Sequence, residues 1–109
     1  MKSIEKNGDK MKIFIPFNEW SKERLANQTK KATSRYRKYG NVGDTFEVDD
    51  CEYQLELVIK LPLWFIAEEL YLSEGAKTIK EFIDIWKDIH QRKGYRPFDE
   101  VWYHHFKEV

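Results

Sequence analysis

The chain has 109 residues, with 19 Lys+Arg balanced by 19 Asp+Glu, so it is the size of one small domain and formally neutral. Its 41% hydrophobic and 16% aromatic content can offset chain entropy by burial, which argues against a disordered protein. The longest mostly apolar run, residues 61–67, contains Pro62 and falls far short of the roughly 20 residues that cross a bilayer. The single cysteine, Cys51, excludes an internal disulfide and a cysteine-caged zinc. With no apolar signal-peptide core at its start, the chain is expected in a reducing, cytoplasmic setting, with no membrane contact, metal or cofactor.

Residues 1–10 are polar and charged and read as a flexible N-terminal tail ahead of one domain over residues 11–109. Ile13, Ile15 and Phe17 alternate across residues 12–17, which predicts a first β-strand, with Pro16 marking a sheet edge or a strand end. Asn18 is placed to cap a short helix over about residues 19–27, with Trp20 and Leu25 turned inward. A basic loop follows. Residues 45–48 and 51–61 then form the arms of a hairpin turning at Asp49-Asp50, the second arm alternating Tyr53, Leu55, Leu57, Ile59 and Leu61 with mostly polar residues.

Pro62 stops that strand and suits the start of a short helix over residues 63–71, where its missing N–H has no partner to lose. Thr78 and Glu81 make a T-x-x-E capping box, followed by Ile79, Phe82, Ile83, Trp86, Ile89 and His90 at helical spacing. This predicts a last helix ending near Lys93-Gly94. Residues 101–106 close the chain as an aromatic strand. Strands scattered among helices without β-α-β alternation predict an α+β domain on a small mixed or barrel-like sheet.

Neutrality conceals a segregation of charge. Trp20 to Gly40 carries seven cations against Glu23 alone, whereas Asn41 to Glu74 carries nine acids against Lys60 alone. Folded onto different faces, the two segments would give the molecule a dipole and an anion-attracting side. Within the basic segment Lys30, Thr33 and Arg35 stand at K-x-x-T-x-R spacing ahead of Gly43-Asp44. Lys30, Lys31, Arg35, Arg37 and Lys38 are suited to phosphates, and interleaved Tyr36 and Tyr39 to stacking of unpaired bases.

The order of K-x-x-T-x-R, Gly43-Asp44, a strand, a short helix leading to Glu74-Gly75, a helix holding Phe82 and Trp86, and a Val101-Trp102 strand ending at Phe106 resembles the ASCH domain. The similarity spans roughly residues 13–106. It implies a PUA-like fold, a small β-barrel with flanking helices, and a ligand that is RNA or a nucleoside. The family pattern has glycine where this chain has Gln28, a residue not expected to take glycine's left-handed conformations.

One branch of that family deacetylates acetylcytidine. The resemblance to it implies Lys30 as the base, Thr33 as the nucleophile and Glu74 as the acid. Such chemistry needs a lysine partly neutral, through burial or neighbouring cations such as Lys31 and Arg35, and a glutamate in an apolar surround for which Trp64 or Tyr71 are candidates. RNA or nucleoside binding is the expected function, with hydrolysis of an acylated nucleoside as the alternative. Thr33 as an ordinary loop hydroxyl and Glu74 as a solvated residue at a helix start are the plain alternatives for those two positions. His104 and His105 are adjacent on a strand and point to opposite faces, so they do not form a metal pair. His90, Phe82 and Trp86 read as packing residues of the last helix. Trp20, Trp64 and Trp102 read as core or as contacts at a barrel mouth, and Cys51 reads as structural.

Overall fold

Among the described residues, seven elements follow in order: α1 (Glu19–Ala26), β1 (Ala32–Arg35), β2 (Thr45–Val48), β3 (Cys51–Pro62), α2 (Leu63–Glu69), α3 (Ile79–Ile89) and β4 (Glu100–Glu108). The computed structural model describes residues 10–109, so the expected tail lies, but for its last residue, outside the described residues. The strands form a curled antiparallel half-barrel in the order β1-β4-β3-β2, flanked by the helices. This is the expected α+β class with PUA-like architecture.

Alternation builds the hairpin as anticipated. Phe46 and Val48 of β2 and Tyr53 and Leu55 of β3 turn inward, and Asp49 and Asp50 both take positive φ, 50° and 71°, as a tight two-residue hairpin turn requires. A bulge between Leu55 and Leu57 then reverses the pleat of β3. Leu57 and Ile59, which the simple alternation would bury, are consequently 47% and 40% exposed. Two apolar clusters result. Leu63, Ile66 and Ala67 of α2, Phe82 and Trp86 of α3, and Val101 and Tyr103 of β4 form one, while Ile15, Leu25, Phe46, Tyr53, Leu55 and Phe106 form the other.

Three expected boundaries change. The predicted first strand makes only an isolated parallel bridge, Lys12 to Thr45, although Ile15 is buried as its alternation implies. The stretch read as a basic loop contains β1, an edge strand held by β4 through Ala32 opposite His105 to Arg35 opposite Trp102. The last helix ends at Ile89, because His90 takes φ −111° and ψ 63° and folds its ring back over Trp86 at 4.1 Å; a separate turn carries the chain to Gly94. The helix starts match the caps: Asn18 accepts from the Ser21 N–H, and Thr78 from the Glu81 N–H.

Candidate functional site

The path into the site begins where α1 ends. Thr29 N–H bonds to Arg24 O at 2.9 Å and Gln28 N–H to Leu25 O at 3.1 Å, the paired bonds of a helix end closed by a left-handed residue. That residue is Gln28, at φ 67°. The expectation that a non-glycine residue forgoes this conformation is thus corrected: the helix end imposes it, at a cost of roughly 1–2 kcal/mol for a residue with a Cβ.

The turn directs Lys30 into the interior, where it is 6% exposed. Its Nζ donates to the Glu74 carbonyl at 2.8 Å and lies 3.6 Å from Glu74 Oε1. Ser34 Oγ donates to Glu74 Oε2 at 2.6 Å. Glu74 is held in place by the next residue, Gly75, whose φ of 103° suits glycine and whose missing side chain leaves room for Lys30 Cβ, 3.2 Å from where a Cβ would sit. The basic and acidic segments therefore meet at a buried pair instead of occupying separate faces.

Burial lowers the Lys30 pKa from 10.5 to about 8, outweighing the opposing attraction of Glu74, with Arg35 and Arg24 adding to the depression. Lys31, expected to assist as a neighbouring cation, is exposed and borders a separate cavity of about 340 Å³ with Glu56 and His105. Arg24, one helical element earlier, is the second cation instead.

Arg35 ties the strand to the N-terminal segment. Its Nε donates to Thr33 Oγ1 at 2.9 Å, its Nη2 to Pro16 O at 2.6 Å, and its guanidinium lies over the rings of Phe17 and Tyr39 at 5.1 and 5.3 Å. Thr33 is 3% exposed, and its carbonyl bonds His104 Nδ1 at 3.1 Å. Because Tyr39 N–H donates to His104 Nε2, the proton of that neutral ring sits on Nδ1, and burial lowers its pKa. His105 lies on the other face, 3.3 Å from Glu56.

These groups border one cavity of about 770 Å³. Lys30, Thr33, Ser34, Arg35 and Glu74 are among its polar lining, beside the aromatic rings of Phe17, Trp20, Tyr36, Trp86 and His90. Thr33 and Ser34 are consecutive on the edge strand β1, and both border this cavity. Tyr36 is fixed by its hydroxyl bond to Asp99 at 2.8 Å, and loss of solvation, reinforced by that bond, pushes its pKa up to about 12. Arg37 and Tyr39 also border the cavity, the guanidinium 4.5 Å above the ring. Lys38 instead lies over Trp102 at 5.2 Å, and neither it, Trp64 nor Tyr71 borders the cavity.

Sequence reasoning did not single out Ser34, which stands at an unspecified position inside K-x-x-T-x-R, or the part that Trp86 and His90 play in the walls. Helical spacing marks an apolar stripe without saying which of its residues face a void.

No known family profile and no curated protein matches the chain. Solved structures do. An ASCH domain from Lactobacillus crispatus superposes with a TM-score of 0.64 at 16% identity, over 90% of this chain and 78% of that one. The chain has an ASCH-like fold. A DUF984-family protein of Enterococcus faecalis gives 0.65 at 17% identity over 91% of this chain and 80% of that one, and a protein of Pyrococcus furiosus gives 0.61 at 16% identity over 91% and 97%. At such identities the ASCH-like likeness concerns the path of the backbone, and the site must be judged from its own side chains.

Proposed function

We propose that the cavity binds a nucleoside, or one unpaired base of an RNA strand. The observation that carries this reading is that five polar side chains, linked by hydrogen bonds as Lys30–Glu74–Ser34 and Arg35–Thr33, line an aromatic-walled cavity of about 770 Å³, within the roughly 300–1,000 Å³ of ligand sites. Lys30, Arg35 and the Thr33 hydroxyl offer donors, Glu74 offers an acceptor, and Tyr36 and Trp20, each with a cation over one face, Lys93 at 4.0 Å and Arg24 at 4.1 Å, leave the opposite face for a flat ring. The ASCH-like fold is compatible with this reading. Exposed Arg37 at the border suits a phosphate.

Tryptophan fluorescence tests it, since Trp20 and Trp86 border the cavity. Titration with cytidine, N-acetylcytidine and a short single-stranded RNA should give saturable quenching, with Arg35→Ala weakening binding about tenfold or more and the RNA affinity falling steeply with salt. No saturable signal, or RNA affinity indifferent to both salt and Arg35→Ala, would reject the reading.

A second reading is hydrolysis of an acylated nucleoside by the Lys30, Thr33 and Glu74 set. It is favoured by the lowered pKa of Lys30, about 8, which leaves a fraction of the amine neutral near pH 7, and by the presence of all three groups on one cavity. Release of cytidine from N-acetylcytidine, abolished in Lys30→Ala, is the outcome this reading requires.

A further inference from the structure

Three aliphatic hydroxyls, those of Ser21, Thr33 and Ser34, border the cavity, and the two on β1 are not equivalent. Thr33 Oγ1 accepts from the Arg35 guanidinium at 2.9 Å, so one lone pair is drawn toward a cation, and no carboxylate or amine among the described residues takes its proton by hydrogen bond. Ser34 Oγ directs its proton at Glu74 Oε2 over 2.6 Å, the length of a short hydroxyl-to-carboxylate bond. Ser34 is also the less hindered primary alcohol, and only 5% exposed.

We propose that Ser34, and not Thr33, is the nucleophile of this cavity, with Glu74 as its base and Lys30 orienting Glu74. The assignment rests on the hydrolytic reading given above. It has the form of an activated hydroxyl: nucleophile within hydrogen-bond reach of a base, and the base oriented by a third group, here Lys30 Nζ through the Glu74 carbonyl at 2.8 Å and Oε1 at 3.6 Å. As Ser34 Oγ bonds to the acyl carbon of an amide or ester, its proton passes to Glu74 Oε2. The carbon–nitrogen or carbon–oxygen bond to the leaving group then breaks, and Glu74 returns the proton to the departing amine or alcohol. Water, deprotonated by Glu74 in turn, cleaves the Ser34 ester to a carboxylic acid and regenerates the hydroxyl. Thr33, locked to Arg35, is left to position the acyl oxygen or the ring.

The intact chain is incubated with p-nitrophenyl acetate, quenched in acid, digested and sequenced by fragmentation, with the chain unfolded in urea as the control for nonspecific acetylation. The acetyl group is expected on the Ser34 hydroxyl in the native chain and not in the unfolded one. It should persist in Thr33→Val, fall about a hundredfold or more in Glu74→Gln, and in Ser34→Ala not reappear on Thr33. Acetylation of Thr33 or Lys30 in place of Ser34, or of no hydroxyl at all, overturns the assignment, and because the label is mapped in the wild-type chain this outcome does not depend on how the variants fold. Acetylation of Ser34 without turnover of N-acetylcytidine would sustain the nucleophile and reject only the acylated nucleoside as its substrate.

Discussion

Raising the pH above neutrality should stabilise this protein, and Lys30 is the reason. The unfolded chain keeps the Lys30 proton up to about pH 10.5, whereas the folded protein releases it near pH 8 because burial penalises the ammonium. Between these values the unfolded state binds more protons, so stability rises with pH; below both values the group is charged in both states and the cost of burying it is fully present. At about 1.4 kcal/mol per pH unit, the interval from 8 to 10 corresponds to about 2–3 kcal/mol. Tyrosine ionisation acts in the opposite sense. Tyr36, pushed from 10 up to about 12, loses stability as pH rises through that window, which confines the gain to pH 8–10. Urea unfolding at pH 7, 8, 9 and 10 measures the effect, and with a slope of about 1–2 kcal/mol per molar urea the midpoint should climb by roughly 1–2 M. In Lys30→Met the rise should vanish, whatever that variant's absolute stability. A flat or falling midpoint in the wild type, or an equal rise in Lys30→Met, would refute the argument.

Gln28→Gly should stabilise the fold by about 0.5–1 kcal/mol, the relief at φ 67° exceeding the added freedom of the unfolded chain, and calorimetry should show a melting temperature higher by a few degrees. Asp44 is 4% exposed and accepts from the backbone N–H of Met11 at 3.0 Å and of Asn41 at 2.8 Å, so Asp44→Ala removes two charge-assisted bonds from part-buried donors and should cost about 1–2 kcal/mol in denaturant unfolding. A loss below about 0.5 kcal/mol would mean those donors find other partners.

The local signals in the sequence translated well into local structure. Asn18 and the Thr78 to Glu81 box start α1 and α3, Asp49-Asp50 turns the hairpin, and Pro62 separates β3 from α2. Each depends on a few neighbouring residues, whose preferences survive in any tertiary context. The failures share a different cause. Residues 12–17 alternate like a strand but reach β2 through only one bridge, and Ala32–Arg35 lacks an apolar pattern yet pairs with β4 as an edge strand. Leu57 and Ile59 are exposed because one bulge shifts the pleat, a change that period-two counting cannot register.

At the site the division is sharper. Residue types and spacing drew attention to Lys30, Thr33 and Arg35, the resemblance added Glu74, and all four border one cavity. They could not determine that Lys31 and Lys38 lie apart from it, that Arg24 is the cation beside Lys30, or that Ser34 holds Glu74. Those facts depend on groups up to 44 residues apart being brought together, as Lys30 and Glu74 are. Spacing along a chain specifies which residues share a turn or a face, but burial, pKa and hydrogen-bond partners depend on what packs across from them. Here that is decided by a left-handed helix end at Gln28, which turns Lys30 inward, and by an edge strand that carries Thr33 and Ser34 to the cavity.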